Sequence, residues 1–175
     1  MYRTALAILT LSALATFTTA AAGQAHGTHS PHAGKEARDI KALSAQEQQD
    51  FLGGQGAGFA IPAELNHYPG PRHVLDLAPR LGLSGDQVAR VRGTYQKMHT
   101  RAVALGRQYV ESERDIDRGF AEGKIDEGRL RELVGAVERL RSELRFVHLR
   151  AHLQTTALLT PEQIRRYDAL RGYPE

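Results

Sequence analysis

Ser84 to Tyr109 reads "SGDQVARVRGTYQKMHTRAVALGRQY". Within it Val88, Val91, Tyr95, Met98, Ala102, Leu105 and Tyr109 recur at alternating spacings of 3 and 4 residues. That heptad pattern marks a helix packed along another helix. Ser84 is a good N-cap for a helix starting at Gly85, and Ile116 and Phe120 extend the same stripe. The stretch "EGKID", Glu122 to Asp126, breaks it. A second stripe follows with the same spacing: Leu130, Leu133, Val137, Leu140, Leu144, Val147 and Ala151. Two long helices joined by a short turn must be antiparallel neighbours. Thr160 then caps a last helix with Pro161 at its first position, running to Arg171.

The flanks carry weaker signals. Glu36 to Leu52 reads as a short amphipathic helix stopped by Gly53-Gly54. The Gly- and Pro-rich stretch that follows reads as a loop without the Lys-Ser/Thr of a phosphate-binding turn. Pro71 opens a further short helix to Leu81, carrying His73. The first 22 residues have one early charge at Arg3, an apolar run from Ala5 to Phe17 and small residues at Ala20-Ala21-Ala22. That is a secretory signal peptide, which places the mature chain in the periplasm, away from ATP and with no stable membrane insertion after cleavage. Residues 23–66 are expected to be a flexible His- and Gly-rich segment holding the short helix. Its "GQAHGTHSPHAGK" spaces His26, His29 and His32 three apart, a tract able to hold divalent metals loosely. The helical domain is expected over residues 67–175.

Composition narrows the chemistry. The 175 residues include no Cys and no Trp, so disulfides, thiolate ligands and thiol nucleophiles are excluded. The net charge of +3 comes from Arg interleaved with Glu and Asp and not from one basic patch, which argues against nucleic acid as a partner. No nucleophile stands beside a base and no carboxylate pair is evident, so no enzyme is expected. The composition fits an all-α chain.

The histidines then become informative. With the hairpin turn centred near Lys124, His99 falls level with about residue 149. In heptad terms His99 and His148 both occupy e positions and flank the same side of the seam. His152 lies one turn further along, and Met98 lies just inside. His148 and His152, four apart on one helix, can bind one ion, and His99 supplies a third imidazole. His73 or His67 could add a fourth. The expected ligands are therefore His148, His152, His99 and His73, partly exposed, for a divalent transition metal: Zn, Cu, Ni or Co.

A short motif occurs twice, Leu83-Ser84-Gly85-Asp86-Gln87-Val88 and Leu159-Thr160-Pro161-Glu162-Gln163-Ile164. Capping chemistry explains the Ser or Thr and the acid in the first turn, but not the same Gln twice. With the signal peptide and the hairpin, these paired Leu-Ser/Thr-x-x-Gln motifs make the chain resemble the periplasmic Spy/CpxP/ZraP superfamily over His67 to Tyr173. That resemblance implies a thin, cradle-like, dimeric helical hairpin. It also implies a role as ATP-independent chaperone, envelope-stress regulator or heavy-metal-resistance protein. The stretch from Val147 to Gly172 is similar to the end of the periplasmic nickel/cobalt resistance sensors. His148 and His152 fall on those sensors' His-x-x-x-Met pair. Of their earlier His-x-x-x-His pair only His73 matches, with Leu77 at the partner position. Their Glu ligand has no equivalent here, and Tyr95 lies nearby.

Two readings remain open at this level. One is a metal-binding stress or resistance protein that senses or buffers divalent ions, with a membrane sensor protein as a possible partner. The other is a holdase that uses exposed apolar area to bind unfolded clients without metal.

Overall fold

The structure is a computed structural model, described for Ser30 to Pro174. The expected signal peptide, residues 1–22, and two of the three tail histidines, His26 and His29, lie outside the described residues; His32 is exposed. Residues from Gly34 onward form one compact unit. Among the described residues there are seven α-helices and one 3-10 turn, and no strand. The order is α1 (Ala45–Leu52), α2 (Ile61–Glu64), α3 (Pro71–Asp76), α4 (Ala78–Leu81), α5 (Gly85–Ala121), α6 (Glu127–Thr156) and α7 (Pro161–Arg171). None of them is long and apolar enough to cross a membrane.

The long pair α5 and α6 packs together as the two stripes require. Between them Gly123, in the left-handed region at φ 62°, ends α5. The Lys124 N–H donates to Gly119 O at 3.0 Å across it. Asp126 then caps α6 by accepting from the Arg129 N–H at 2.8 Å. Ala102, Leu105, Tyr109, Val137, Leu144 and Val147 form the central core. Phe120, expected to extend the stripe, is 59% exposed near the turn, where the helices run out of covering elements.

Three expectations are corrected. The helix expected from Glu36 to Leu52 is interrupted: a 3-10 turn covers Lys35–Ala37, and α1 begins only at Ala45. Ser44 caps α1 in a box with Glu47, and Ile40 and Leu43 sit in the core just before it. The helix expected from Pro71 to Leu81 breaks at Leu77. Pro79 has no N–H to donate back along the helix, so α3 ends and α4 restarts. The loop after Gly53 contains α2.

The packing does not divide at residue 67. Ile40, Leu43 and Phe51 belong to the same core as α5 and α6. The Phe51 ring lies 4.7 Å from that of Tyr109. The α1 backbone lies so close to α5 that a Cβ at Gly106 would fall 2.0 Å from Phe51 O. Ion pairs Asp39–Arg114 (3.1 Å) and Lys41–Asp117 (3.0 Å) hold the segment before α1 against α5.

The end of the hairpin opposite the turn has its own cluster. Val74, Leu81, Val91 and Tyr167 are buried there, with Leu83 and Leu159 of the repeated motif packed against them. The two motif glutamines meet at this end. Each caps its own helix, Gln87 Oε1 accepting from the Ser84 N–H and Gln163 Oε1 from the Thr160 N–H, both at 3.0 Å. Their amides also bond each other, at 2.9 and 3.2 Å. Gln87 Nε2 donates in addition to Leu158 O at 2.8 Å, and Gln163 Nε2 to Gly82 O at 3.4 Å. A Glu could cap but could not donate. The Gln recurs because each amide must cap its own helix and clasp the other one.

Candidate metal centre

His148 and His152 both project from α6, four residues apart, into the same flank of the hairpin. Both are buried, at 5% and 8% exposure, where the register alone had them partly exposed. The covering layer is the Gly-rich stretch after α1. A Cβ at Gly56 would stand 3.7 Å from His148 Nδ1, and one at Gly70 would stand 2.9 Å from His152 Nε2. Glycine at 70 lets the backbone lie directly over His152, whereas a Cβ at 56 would make only an ordinary contact with His148.

His99 comes from α5 and is half-buried. His99, His148, His152 and His73 line one cavity of about 560 Å³, together with Met98, Tyr95, Glu64, Arg72 and Arg171. His67 does not line it. Its Nδ1–H donates instead to Asp168 on α7, at 2.9 Å. Asp168 is 6% exposed, and its other oxygen has no partner among the described residues.

Hydrogen bonds orient two of the imidazoles. A carbonyl oxygen only accepts, so His152 Nδ1, 2.7 Å from Tyr68 O, is a donor there, and Nε2 is the nitrogen left for a ligand. By the same reasoning His99 Nε2, 3.1 Å from Gly53 O, is a donor and Nδ1 is the nitrogen left for a ligand. An imidazole held by a backbone carbonyl on one nitrogen is oriented to ligate through the other. His148 differs from both: its Nε2 is buried without any hydrogen-bond partner. A buried nitrogen in that state is costly unless something fills it. Burial holds the His148 imidazole far below its ordinary value, down to about 4, with the His152 and His99 charges adding to the effect. It is therefore neutral, the form a metal needs, across the physiological range. Burial, followed by the Arg171 charge, also lowers His73.

As placed, no three His, Asp or Glu side chains among the described residues stand around one point closely enough to hold an ion. The donor chemistry fits a transition metal, since imidazoles with free lone pairs share a cavity with a thioether.

Sequence reasoning missed Glu64. It sits in the four-residue α2, where no periodicity could announce it. Glu64 Oε1 accepts from the Tyr167 and Tyr173 hydroxyls and lies 3.5 Å from Arg171 Nε, while Oε2 is 3.7 Å from His152 Nδ1. Compared with known protein families, with curated proteins and with solved structures, the chain matches none.

Proposed function

We propose that this is a periplasmic heavy-metal-binding stress or resistance protein, of the Spy/CpxP kind, which senses or buffers a divalent transition metal. It catalyses no reaction and works as a homodimer. The observation that carries this reading is that His148, whose buried Nε2 has no partner among the described residues, lines one cavity with His152, His99 and His73. A ligated metal would satisfy that nitrogen and remove the cost of leaving it bare. Calorimetric titration with Zn, Cu, Ni and Co tests it. At least one metal should bind with micromolar or tighter affinity, and the His148→Ala/His152→Ala variant should bind it at least ~10-fold more weakly. Unchanged binding in the variant, or no binding in the parent, removes the reading.

A second reading, an ATP-independent holdase for unfolded clients, rests on a different face. Phe146 and Leu153, seven residues apart on α6, are each more than half exposed, and Arg150 stacks over Phe146 at 5.3 Å. An exposed apolar strip beside a cation suits unfolded chain segments. Suppressed aggregation of a denatured client without metal, lost in Phe146→Ser/Leu153→Ser but not in His148→Ala, would favour it.

A further inference from the structure

We propose that the end of the hairpin away from the turn carries a docking face for an anionic phospholipid bilayer. The proposal is independent of the histidine cavity, because this face lies on the other side of the two long helices. Three observations carry it: where the charge sits, which side of the hairpin is left uncovered, and which apolar side chains border the cations.

The net charge of +3 hides a division along the hairpin. From Glu111 to Glu143, the half around the turn, acids and bases interleave as expected, ten against seven, a net of −3. In the other half α5 has no acid between Asp86 and Glu111, and α6 has none between Glu143 and Glu162. The two gaps lie side by side, because the helices pack antiparallel about the turn. They hold five basic residues on α5 and two on α6.

Lys97, Arg101 and Arg150 share one side of this end. Each is exposed, and no acid stands within a helical turn of any of them on its own helix. At 3.6 residues per turn, Lys97 and Arg101 each point about 160° away from His99, and Arg150 about 160° away from His148. His99 and His148 mark the covered side, where Gly54 stands against His99 and Gly56 against His148. Phe146 and Leu153 border Arg150 on its stripe of α6, 54% and 58% exposed, and the Arg150 guanidinium lies 5.3 Å over the Phe146 ring.

This mixture selects the partner. Like charge opposes a second copy laid on the same face. A nucleic acid would use the cations but leave Phe146 and Leu153 in water. A bilayer with anionic headgroups offers negative charge to Lys97, Arg101 and Arg150 and an apolar layer within reach of Phe146 and Leu153. Among the described residues no helix is long and apolar enough to cross a membrane, so the association is peripheral. The acidic excess of the turn half is repelled by the same surface, so the hairpin docks by this end.

The chain has no cysteine, so a single one can be introduced as a reporter. Gln154→Cys, beside Leu153, and Arg131→Cys, in the turn half, each carry one polarity-sensitive dye on the full chain. Both are mixed with phosphatidylcholine vesicles, with and without phosphatidylglycerol. The dye at 154 should report an apolar environment only with phosphatidylglycerol, the dye at 131 should not respond, and added salt should reverse the change. With the dye at 154, Lys97→Gln/Arg101→Gln/Arg150→Gln and Phe146→Ser/Leu153→Ser should each raise the lipid concentration needed by at least ~10-fold. Arg118→Gln/Arg129→Gln removes charge near the turn and should match the parent. An equal response at both dye positions, or an equal loss in the turn variant, would overturn the proposal, since net charge or another segment would then hold the vesicle. A shift caused equally by heparin or polyglutamate would also overturn it, because the face would then take any polyanion. Full binding in Phe146→Ser/Leu153→Ser would do the same, because no apolar layer would be engaged.

Discussion

His148 shows how one side chain can report on its surroundings through acidity. Unfolded, its imidazole takes up a proton near 6.5; folded and buried, it does so only near 4. Between those values the unfolded chain binds more protons, so its contribution to stability is complete above pH 6.5 and is lost as the pH falls towards 4. The full span corresponds to about 3 kcal/mol. Denaturant unfolding of metal-free protein at pH 7 and at pH 4.5 should therefore differ more for the parent than for His148→Leu, by roughly 2 kcal/mol. An equal pH dependence in the two proteins would show that His148 is not buried as described. Neither the burial nor the acidity was legible in the sequence. The heptad phase placed His99, His148 and His152 on one flank of the seam, and they do line one cavity. The phase could not say that a third layer covers the flank. That layer is built from Gly53 to Gly70, whose residues have no periodicity and whose position depends on contacts with α5 and α6.

At the scale of elements the sequence was most readable where local chemistry decides. The starts of α5 and α7 follow from Ser84 and Thr160 with Gln at the third position, and the ends of both long helices fall at the expected turn. It was least readable where single residues compete. Pro79 splits the expected helix after Asp76, and the bends before Ser44 bury Ile40 and Leu43 without any helical repeat to signal it. The repeated Gln was visible, but its reason lies across 76 residues of chain. Gln87→Glu isolates that reason. The variant keeps an oxygen to cap Ser84, yet loses the donor to Leu158 O and faces Gln163 Oε1 with a second acceptor. It should cost about 1–3 kcal/mol by denaturant titration. Adding Gln163→Glu to it should cost more than Gln163→Glu alone, because the pair then loses its last amide donor and sets two carboxylates face to face. Full additivity would mean that the two amides do not cooperate.

For the whole molecule, the segment before α2 is structural and not a tether. Ile40, Leu43 and Phe51 cover the middle of the hairpin, and burying three such side chains stabilises it by about 6 kcal/mol. That is comparable with the whole stability of an ordinary domain. A chain lacking residues 34–66 should therefore fail to unfold cooperatively and should bind a hydrophobic dye, as judged by calorimetry and fluorescence. A truncated hairpin that melts sharply at the parent temperature would refute this.

The clasp between Gln87 and Gln163 has a topological consequence. It joins the start of α5 to the start of α7, while the turn from Glu122 to Asp126 joins α5 to α6 at the far end. The hairpin is thus closed twice, once by covalent chain and once by hydrogen bonds and packed leucines. A protease that nicks the exposed turn at Lys124 should leave two fragments that migrate together under native conditions and part only in denaturant.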